Sequence, residues 1–354
     1  MSPAPHPSTA SASKHGCFVG TGDLAFEALE RWEQLPADAL FVEVVGMATD
    51  SSDRLFVFNR GPHPLVVLDR DGRFITSWGD GLFARPHGIT IGSDDSVYLT
   101  DDVDHTVRKF TPAGKLLLTL GTSGRPSDTG VIGHDYRTIQ RIGPPFCLPT
   151  NLALSPSGDL YITDGYGNAR VHKFSADGRL QFSWGEPGSG PGQFHVPHGI
   201  AVDRSGTVYV ADRENSRVQL FSPDGEYLRE WTGLARPCEI FIDERRSGPP
   251  LAYVAELGYR AGMWPGTSPP APGATGGRVS ILDLEGRLLT RWGGGGDPCV
   301  PGDFFAPHDI WVDSRGDVYV GEVTMSAGGN RGMVPPECHS LQKFRRIGRT
   351  EATP

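Results

Sequence analysis

Cysteine is scarce in this sequence, and the cysteines that are present form no paired motif. The chain has 354 residues and five cysteines, which are Cys17, Cys147, Cys238, Cys299 and Cys338. An odd number of cysteines without a C-x-x-C pair predicts neither a disulfide framework nor a cysteine metal site. We therefore expect reduced thiols.

Basic clusters and long apolar runs are missing as well. Acidic residues outnumber basic ones by 42 to 33, which gives a net charge of −9. Nucleic-acid binding depends on clustered Lys and Arg, and the short basic segment at residues 344–349 does not provide them, so no nucleic-acid partner is expected. No apolar run approaches the ~18–20 residues of a membrane span, and residues 1–16 lack the apolar core of a secretory signal. These features predict a cytoplasmic protein without membrane contact.

Helical periodicity is also absent, whereas glycine and proline are abundant at 47 and 30 residues. Short runs alternate apolar and polar residues between Asp-Gly, Ser-Gly or Pro-Asp-Gly turns, a pattern typical of short antiparallel strands. Because the pattern repeats six times, we predict an all-β fold, a six-bladed β-propeller. The predicted blades span residues 44–78, 86–121, 149–185, 197–232, 237–293 and 307–345.

The sixth repeat lacks its outermost strand. Five repeats end in tails such as ITSWG or LREWT, but the sixth ends at KFRRIG. Residues 26–35 (FEALERWEQL) carry the missing Trp-containing pattern, so we expect this N-terminal strand to complete the last blade and remove its exposed edge. The predicted propeller covers residues 18–348, with a disordered tail at 1–17 and a C-terminal tail at 349–354.

Three Pro-His steps recur at nearly equal intervals. His87, His198 and His308 are separated by 111 and then 110 residues, which is two repeats each time. In a closed ring these imidazoles converge on the axis, and three imidazoles with an open fourth position are a common zinc arrangement. The residue that starts the first strand of each repeat, here called the inner-strand position, is in turn Val45, His87, Thr150, His198, Cys238 and His308. We expect Cys238 to be a packed thiol rather than a ligand.

Two arginines follow the ends of second strands. The preceding position is acidic in most repeats, which predicts a structural cap on the following turn; these residues are Asp101, Asp164, Asp212, Glu256 and Glu322. Arg60 and Arg213 come next in repeats one and four, on opposite walls of the end of the ring where the first strands begin, here called the mouth. A repeated structural role does not explain an arginine in two repeats only. We therefore expect the pair to hold a substrate carboxylate, with surface ion pairing as the alternative.

Two further side chains are predicted to face the axis. Tyr166, in DGYGN, is a candidate base, because a phenol beside a divalent cation and arginines can lose its proton if the positive charges outweigh burial. Asp309 replaces the glycine that follows the first two histidines, so its carboxylate is expected to enter the axial channel and orient an imidazole or bind a harder cation. Long loops at residues 121–148, 257–277 and 323–338 are predicted to cover the mouth and set substrate choice.

The repeat resembles the NHL β-propeller, and the mouth resembles that of the peptidyl-α-hydroxyglycine α-amidating lyase family. The most specific stretches are FNRG at 58–61, DGYGNARVHKF at 164–174, ADRENSRVQLF at 211–221 and APHDI at 306–310. The resemblance implies zinc bound by three histidines, a tyrosine base and two substrate-positioning arginines, which are His87, His198, His308, Tyr166, Arg60 and Arg213. It also implies a structural calcium ion held by Asp309 and the backbone carbonyls of Met47 and Ile89.

The sequence departs from the family pattern at two places. Ala306 stands where the family has a methionine two residues before the third histidine. The wall of the substrate pocket is therefore altered, which favours a substrate other than an ordinary amidated peptide. Gly167 stands where the animal enzymes have a cysteine after the tyrosine, so that disulfide cannot form.

Together these residues predict a zinc-dependent lyase. It would break the C–N bond of an N-acyl-α-hydroxyglycine-type carbinolamide and release an amide and glyoxylate or another α-oxo acid. The substrate is expected to be a small molecule or peptide with a carboxylate. The alternatives are a lactonase-like metal-dependent hydrolase at the same site and a non-catalytic propeller that binds a protein or peptide with zinc as a structural ion. A structural zinc normally has four protein ligands and no fourth is evident in the sequence, which favours catalysis. The oligomeric state is left open.

Overall fold

The alternating runs form antiparallel sheets, as the sequence predicts. A computed structural model describes residues 16–261 and 273–347 of the protein. The first two strands are β1 (Cys17–Thr21) and β2 (Leu24–Leu29). Blade one contains β3 (Val44–Thr49), β4 (Leu55–Asn59), β5 (Leu65–Leu68) and β6 (Phe74–Trp78). Blade two contains β7 (Pro86–Ile91), β8 (Val97–Asp101), β9 (Thr106–Phe110) and β10 (Leu116–Gly121).

The next three blades repeat this four-stranded order. Blade three contains β11 (Asn151–Leu154), β12 (Leu160–Asp164), β13 (Arg170–Phe174) and β14 (Leu180–Trp184). Blade four contains β15 (Pro197–Val202), β16 (Val208–Asp212), β17 (Arg217–Phe221) and β18 (Tyr227–Trp231). Blade five contains β19 (Pro237–Asp243), β20 (Leu251–Glu256), β21 (Arg278–Asp283) and β22 (Leu288–Gly293).

Blade six combines the two ends of the described chain. It contains β23 (Pro307–Val312), β24 (Val318–Glu322) and β25 (Leu341–Arg346), followed by β2 and β1. The first strands of successive blades contact one another, and β23 contacts β3, so the ring is closed. The six-bladed β-propeller is therefore confirmed. The described helices are α1 (Thr324–Ala327) and 3₁₀ turns at Tyr136–Thr138, Arg213–Asn215 and Gly329–Arg331. Across the described residues, no helix has the length and apolarity needed to cross a bilayer.

The N-terminal strand closes the last blade, at the beginning of the predicted segment. Strand β2 pairs with β25, with Phe26 opposite Arg346. Residues 26–29 pair as predicted. The rest of the predicted segment is not part of the strand, because Arg31 has a φ of 48° and so interrupts the extended backbone. The ring of Trp32 instead packs against Tyr319 and Lys343 of blade six. Strand β1 adds a fifth strand that the sequence analysis did not predict.

The apolar core lies between neighbouring blades. The second strand of every blade carries an aromatic residue one or two positions from its start, and all six are buried against the adjacent blade; they are Phe56, Tyr98, Tyr161, Tyr209, Tyr253 and Tyr319. Each buried ring removes a large apolar area from water. These contacts between neighbouring blades therefore stabilise the ring.

The acidic ends of the second strands position the mouth. Their carboxylates accept hydrogen bonds from backbone N–H groups just before the first strand of the same blade. Asp101 accepts from Ala84 and Arg85, and Glu322 accepts from Phe305 and Ala306. The structural role is thus observed, but these carboxylates mainly fix the backbone that leads into the inner-strand position. Asp101 also accepts from Asp104 in the following turn, as predicted.

The expectation of reduced thiols is wrong for two of the five cysteines. Cys299 and Cys338 form a disulfide, with their Cα atoms 5.0 Å apart. They are separated by 39 residues in sequence, so no local motif could reveal the pair. Cys17, Cys147 and Cys238 are free. Disulfides are typical of proteins from oxidising compartments and are rare in the cytoplasm. The cytoplasmic location is therefore not supported by this bond and remains a prediction.

A thiol count tests this disulfide. Protein purified without reductant and then unfolded is expected to show three reactive thiols per chain, the number of free cysteines in the structure. The same protein treated with reductant before unfolding is the control and should show all five cysteines of the sequence. Five thiols without reductant would mean that Cys299 and Cys338 are not bonded.

Candidate active site

Three imidazoles meet on the axis of the ring. His87, His198 and His308 are the second residues of β7, β15 and β23, and their rings have centroids 4.7 to 4.9 Å apart. All three residues are buried, and each offers a nitrogen that lies within 4.8 Å of the other two. The predicted convergence of alternate blades is therefore present in the structure.

Hydrogen bonds fix the orientation of each imidazole. The Nδ1 atoms of His87, His198 and His308 lie 2.6, 2.9 and 2.8 Å from the carbonyl oxygens of Thr150, Cys238 and Val45. A carbonyl only accepts, so each Nδ1 carries the hydrogen and each Nε2 keeps its lone pair for the axis. The three non-histidine inner-strand positions thus orient the histidines of neighbouring blades.

The imidazoles are held in the neutral form that binds metal. Burial, reinforced by the neighbouring histidines and arginines, lowers the pKa of His87 and His198 well below the usual value and that of His308 to about 3. Neutral imidazole is the ligating state. Three Nε2 donors without a carboxylate suit zinc, so the donor set fits the predicted ion. The Cys238 thiol is buried, which raises its pKa to about 11, and it lies outside this group.

Tyr166 reaches the same point. Its hydroxyl oxygen lies 2.9 Å from Nε2 of His87 and 3.0 Å from Nε2 of His198. Burial raises the pKa of this phenol, while Arg213 and Arg85 oppose the rise. The arginines therefore do not outweigh burial, which was the condition for Tyr166 to act as a base. A bound divalent cation is needed to shift the balance toward the phenolate.

The two predicted arginines lie beside the tyrosine, and each has an acidic partner. Nη1 of Arg213 donates to the Tyr166 hydroxyl at 3.4 Å, and its Nε contacts Glu214 at 2.8 Å. Arg60 pairs with Glu43 at 3.0 Å and donates through Nε to the Pro86 carbonyl. Both guanidinium groups line a cavity of about 70 Å³ together with Tyr166 and His308. Both arginines thus form ion pairs, as the alternative expected, but inside the mouth rather than on an open surface, and their role in carboxylate binding stays a prediction.

Two more arginines line this cavity and were missed. Arg85 and Arg236 each stand directly before the proline of an inner strand, in Arg-Pro-His and Arg-Pro-Cys. The sequence could have revealed them, because both lie two residues before the inner-strand position of their repeats. Arg236 pairs with Glu214 and donates to the carbonyls of Gly258 and Ala261. It therefore holds the start of a mouth loop.

All three predicted mouth loops contact the site. Leu257, Val323 and Ala327, which belong to the second and third loops, line the cavity. Tyr136 of the first loop packs against the cluster that contains Tyr166. Residues 262–272 of the second loop lie outside the described residues. Ala306, the small residue before the third Pro-His step, is fully buried within the neighbouring apolar cluster.

A second cavity of about 200 Å³ lies farther along the first strands of the blades. Asp309 lines it as predicted, together with Met47, Ile89 and an acid that the sequence analysis missed, Glu239. Burial raises the pKa of both acids, that of Glu239 to about 8, and their mutual repulsion adds to the rise for Asp309. Met47 contacts the Asp309 carboxylate through its N–H, which is a donor and not a ligand. The calcium site remains a prediction.

Asp102 is the least satisfied acid near the mouth. It is fully buried, no described residue donates a well-formed hydrogen bond to its carboxylate, and its ion pair with Arg85 measures 3.4 Å. Burial raises its pKa from 3.8 to about 6, although Arg85 and Arg60 oppose this. Between about pH 4 and 6 the unfolded carboxyl loses its proton while the folded one keeps it, so its cost to folding grows with pH.

Replacing Asp102 by Asn is therefore expected to stabilise the fold at neutral pH. The pKa difference corresponds to about 3 kcal/mol of unfolding free energy above pH 6, and the gain should vanish near about pH 4. Thermal unfolding of both proteins from pH 4 to 8 measures the difference. Asp128→Asn, at an exposed ion pair with Arg141, is the control and should show little pH-dependent gain. A destabilised Asp102→Asn protein at pH 7 would contradict the burial argument.

Comparison with known proteins shows the family of the propeller. The NHL repeat profile matches residues 83–110, 146–174 and 194–221. Human NHL repeat-containing protein 3 is 36% identical over 297 residues, covering 78% of this chain and 76% of the relative. The chain belongs to the NHL-repeat β-propeller family. Rat peptidylglycine alpha-amidating monooxygenase is also 36% identical over 318 residues, covering 79% of this chain but 29% of the relative.

Two further comparisons concern enzymes. Peptidyl-alpha-hydroxyglycine alpha-amidating lyase 1 of Drosophila melanogaster is 37% identical over 180 residues, covering 47% of this chain and 31% of the relative. This NHL propeller thus spans about three-tenths of the length of the amidating relatives. A gluconolactonase structure from Xanthomonas campestris superposes with a TM-score of 0.60 at 14% identity, covering 97% of this chain and 99% of the other. That likeness shows the fold alone.

Proposed function

We propose that this protein is a zinc-dependent lyase that converts an N-acyl-α-hydroxyglycine into an amide and glyoxylate. The observation that carries the proposal is the meeting of three neutral imidazoles with the Tyr166 hydroxyl, whose oxygen lies within 3.0 Å of two Nε2 atoms. Similarity to relatives named amidating lyases supports the lyase class. The predicted zinc would be held by His87, His198 and His308.

The chain's own groups can perform each proton and binding step. A zinc ion at this position supplies Lewis acidity, which lowers the pKa of a nearby substrate hydroxyl. Arg60 and Arg213 bind the α-carboxylate and so place the α-hydroxyl beside Tyr166. Tyr166, as phenolate, takes the hydroxyl proton. The carbon–oxygen double bond forms as the C–N bond breaks, and the proton returns to the amide nitrogen. The products therefore contain the same atoms as the substrate, and no water is consumed.

Arg60 tests the carboxylate role. Arg60→Ala should raise KM for the free acid roughly 10- to 100-fold, the effect of losing a charge-assisted hydrogen-bond pair. Turnover of the methyl ester, which has no carboxylate, should change much less. Arg54→Ala is the control, since Arg54 pairs with Asp50 in the same blade and is absent from the cavity lining. If the unmodified enzyme already processes ester and acid equally, the arginines do not recognise a carboxylate.

The proposal is tested with α-hydroxyhippurate as substrate. Zinc-loaded protein should release glyoxylate above the buffer rate, and removal of metal by a chelator should stop the release. A lactone supplied to the same preparation tests the hydrolase alternative, which would use the open metal position to activate water. Lactone hydrolysis without glyoxylate release would replace the lyase by a hydrolase. Activity on neither compound would favour a non-catalytic binding propeller.

A further inference from the structure

Arg85 occupies a place in the mouth that the proposed reaction does not require. It lines the cavity with Arg60, Tyr166 and Arg213, and its guanidinium lies 6.0 Å from the centre of the Tyr166 ring. The α-carboxylate already has Arg60 and Arg213, which come from opposite walls. Binding of the α-carboxylate therefore does not explain the presence of Arg85 in this wall.

Burial places the three arginines at different depths. The side chains of Arg213, Arg60 and Arg85 are 4, 13 and 25% exposed. The reacting carbon must lie near the histidines, which are almost fully buried. The acyl group of the substrate must then extend outward toward solvent. Arg85, the most exposed of the three, lies where that acyl group passes rather than where the C–N bond breaks.

Asp102 positions Arg85 at a cost to the fold. Its buried carboxylate faces Arg85 at 3.4 Å and receives no well-formed hydrogen bond from the described residues. Buried carboxylates without hydrogen bonds are unfavourable, so such a group is more often explained by function than by stability.

The charges in the mouth leave room for more than one anion. Four guanidinium groups line the cavity, whereas the acids that pair with them among residues 16–261 and 273–347 are Glu43, Asp102 and Glu214. The three histidines are neutral and the predicted zinc adds two positive charges. With Tyr166 as phenolate, a substrate with one carboxylate would still leave a small net positive charge in the mouth. An apolar acyl group would also cover the Arg85 guanidinium without pairing with it, which is unfavourable.

We infer that Arg85 is a specificity residue that binds a second anionic group on the acyl side of the substrate. The inference rests on the proposed function and narrows its substrate class. Preferred substrates are N-acyl-α-hydroxyglycines whose acyl group itself ends in a carboxylate, as in a dicarboxylic acid monoamide. Asp102 acts through Arg85 as a positioning residue.

Binding of unreactive analogues tests the inference without turnover. N-succinylglycine and N-butyrylglycine have acyl groups of similar length, lack the α-hydroxyl, and differ in the terminal carboxylate. In calorimetry with the zinc-loaded protein, the succinyl compound should bind at least tenfold more tightly. Arg85→Gln should reduce this ratio to near one. Arg137→Gln, which removes an exposed arginine paired with Asp135 in a mouth loop, should keep the wild-type ratio.

Two results would overturn the role of Arg85. One is equal affinity for the two compounds, or no measurable binding of the succinyl compound, in the unmodified protein. The other is an unchanged ratio in Arg85→Gln. Turnover of the matching α-hydroxyglycines separates this inference from the proposed function. Equal kcat/KM for both would keep the lyase and reject Arg85 selectivity, whereas a binding preference without amide release would keep Arg85 and reject the lyase.

Discussion

Replacing His198 by Ala is expected to abolish activity and to remove most of the bound zinc. His198 supplies one of three Nε2 donors, and two imidazoles hold zinc far more weakly than three. The fold should remain, because the blades are stabilised by buried aromatic residues of the second strands. Elemental analysis, thermal unfolding and the glyoxylate assay measure these three quantities on one preparation.

His172→Ala is the matched control for this variant. His172 is equally buried, but it contacts Ser183 and Asp164 within blade three and is not among the three converging histidines. We expect a lower melting temperature with about one zinc per chain retained. Global unfolding of His198→Ala would instead indicate a structural zinc. Full zinc content in that variant would remove His198 from the metal site.

Replacing Tyr166 by Phe is expected to reduce kcat by ~10²–10⁴, the usual contribution of a positioned acid or base. Zinc content should be unchanged, because the ring still fits and the three histidines keep their carbonyl partners. Tyr136→Phe is the control, since Tyr136 packs against the same cluster from the mouth loop. It should keep kcat within a few-fold. A Tyr166→Phe enzyme with wild-type kcat would exclude the phenol from proton transfer.

The sequence was sufficient to predict the convergence of the three histidines because equivalent positions can be aligned from one repeat to the next. Each inner-strand position has the same place in its blade, so alternate histidines had to face one axis. The same regularity located Tyr166, Arg60 and Arg213. The hydrogen bonds from Nδ1 to the carbonyls of Val45, Thr150 and Cys238 involve no side chain of those residues, so the sequence held no sign of them.

Features that break the repeat were predicted less well. Residues 26–35 matched the outer-strand pattern, but the backbone turn at Arg31 ends the pairing before Trp32. The Cys299–Cys338 bond joins two irregular segments. The alignment of the repeats does not predict where such segments lie. Arg85 and Asp102 come from different repeat positions and form a pair only because adjacent strands of blade two bring them together.

The products formed from α-hydroxyhippurate test the central claim most directly. Glyoxylate alone does not distinguish a lyase from an amide hydrolase, because hydrolysis leaves an α-hydroxyglycine that also decays to glyoxylate. The acyl product does distinguish them. With zinc-loaded protein, mass spectrometry should detect benzamide and glyoxylate in equal amounts above the buffer control. Benzoate in place of benzamide, or no benzamide above the control, would contradict the proposed C–N lyase.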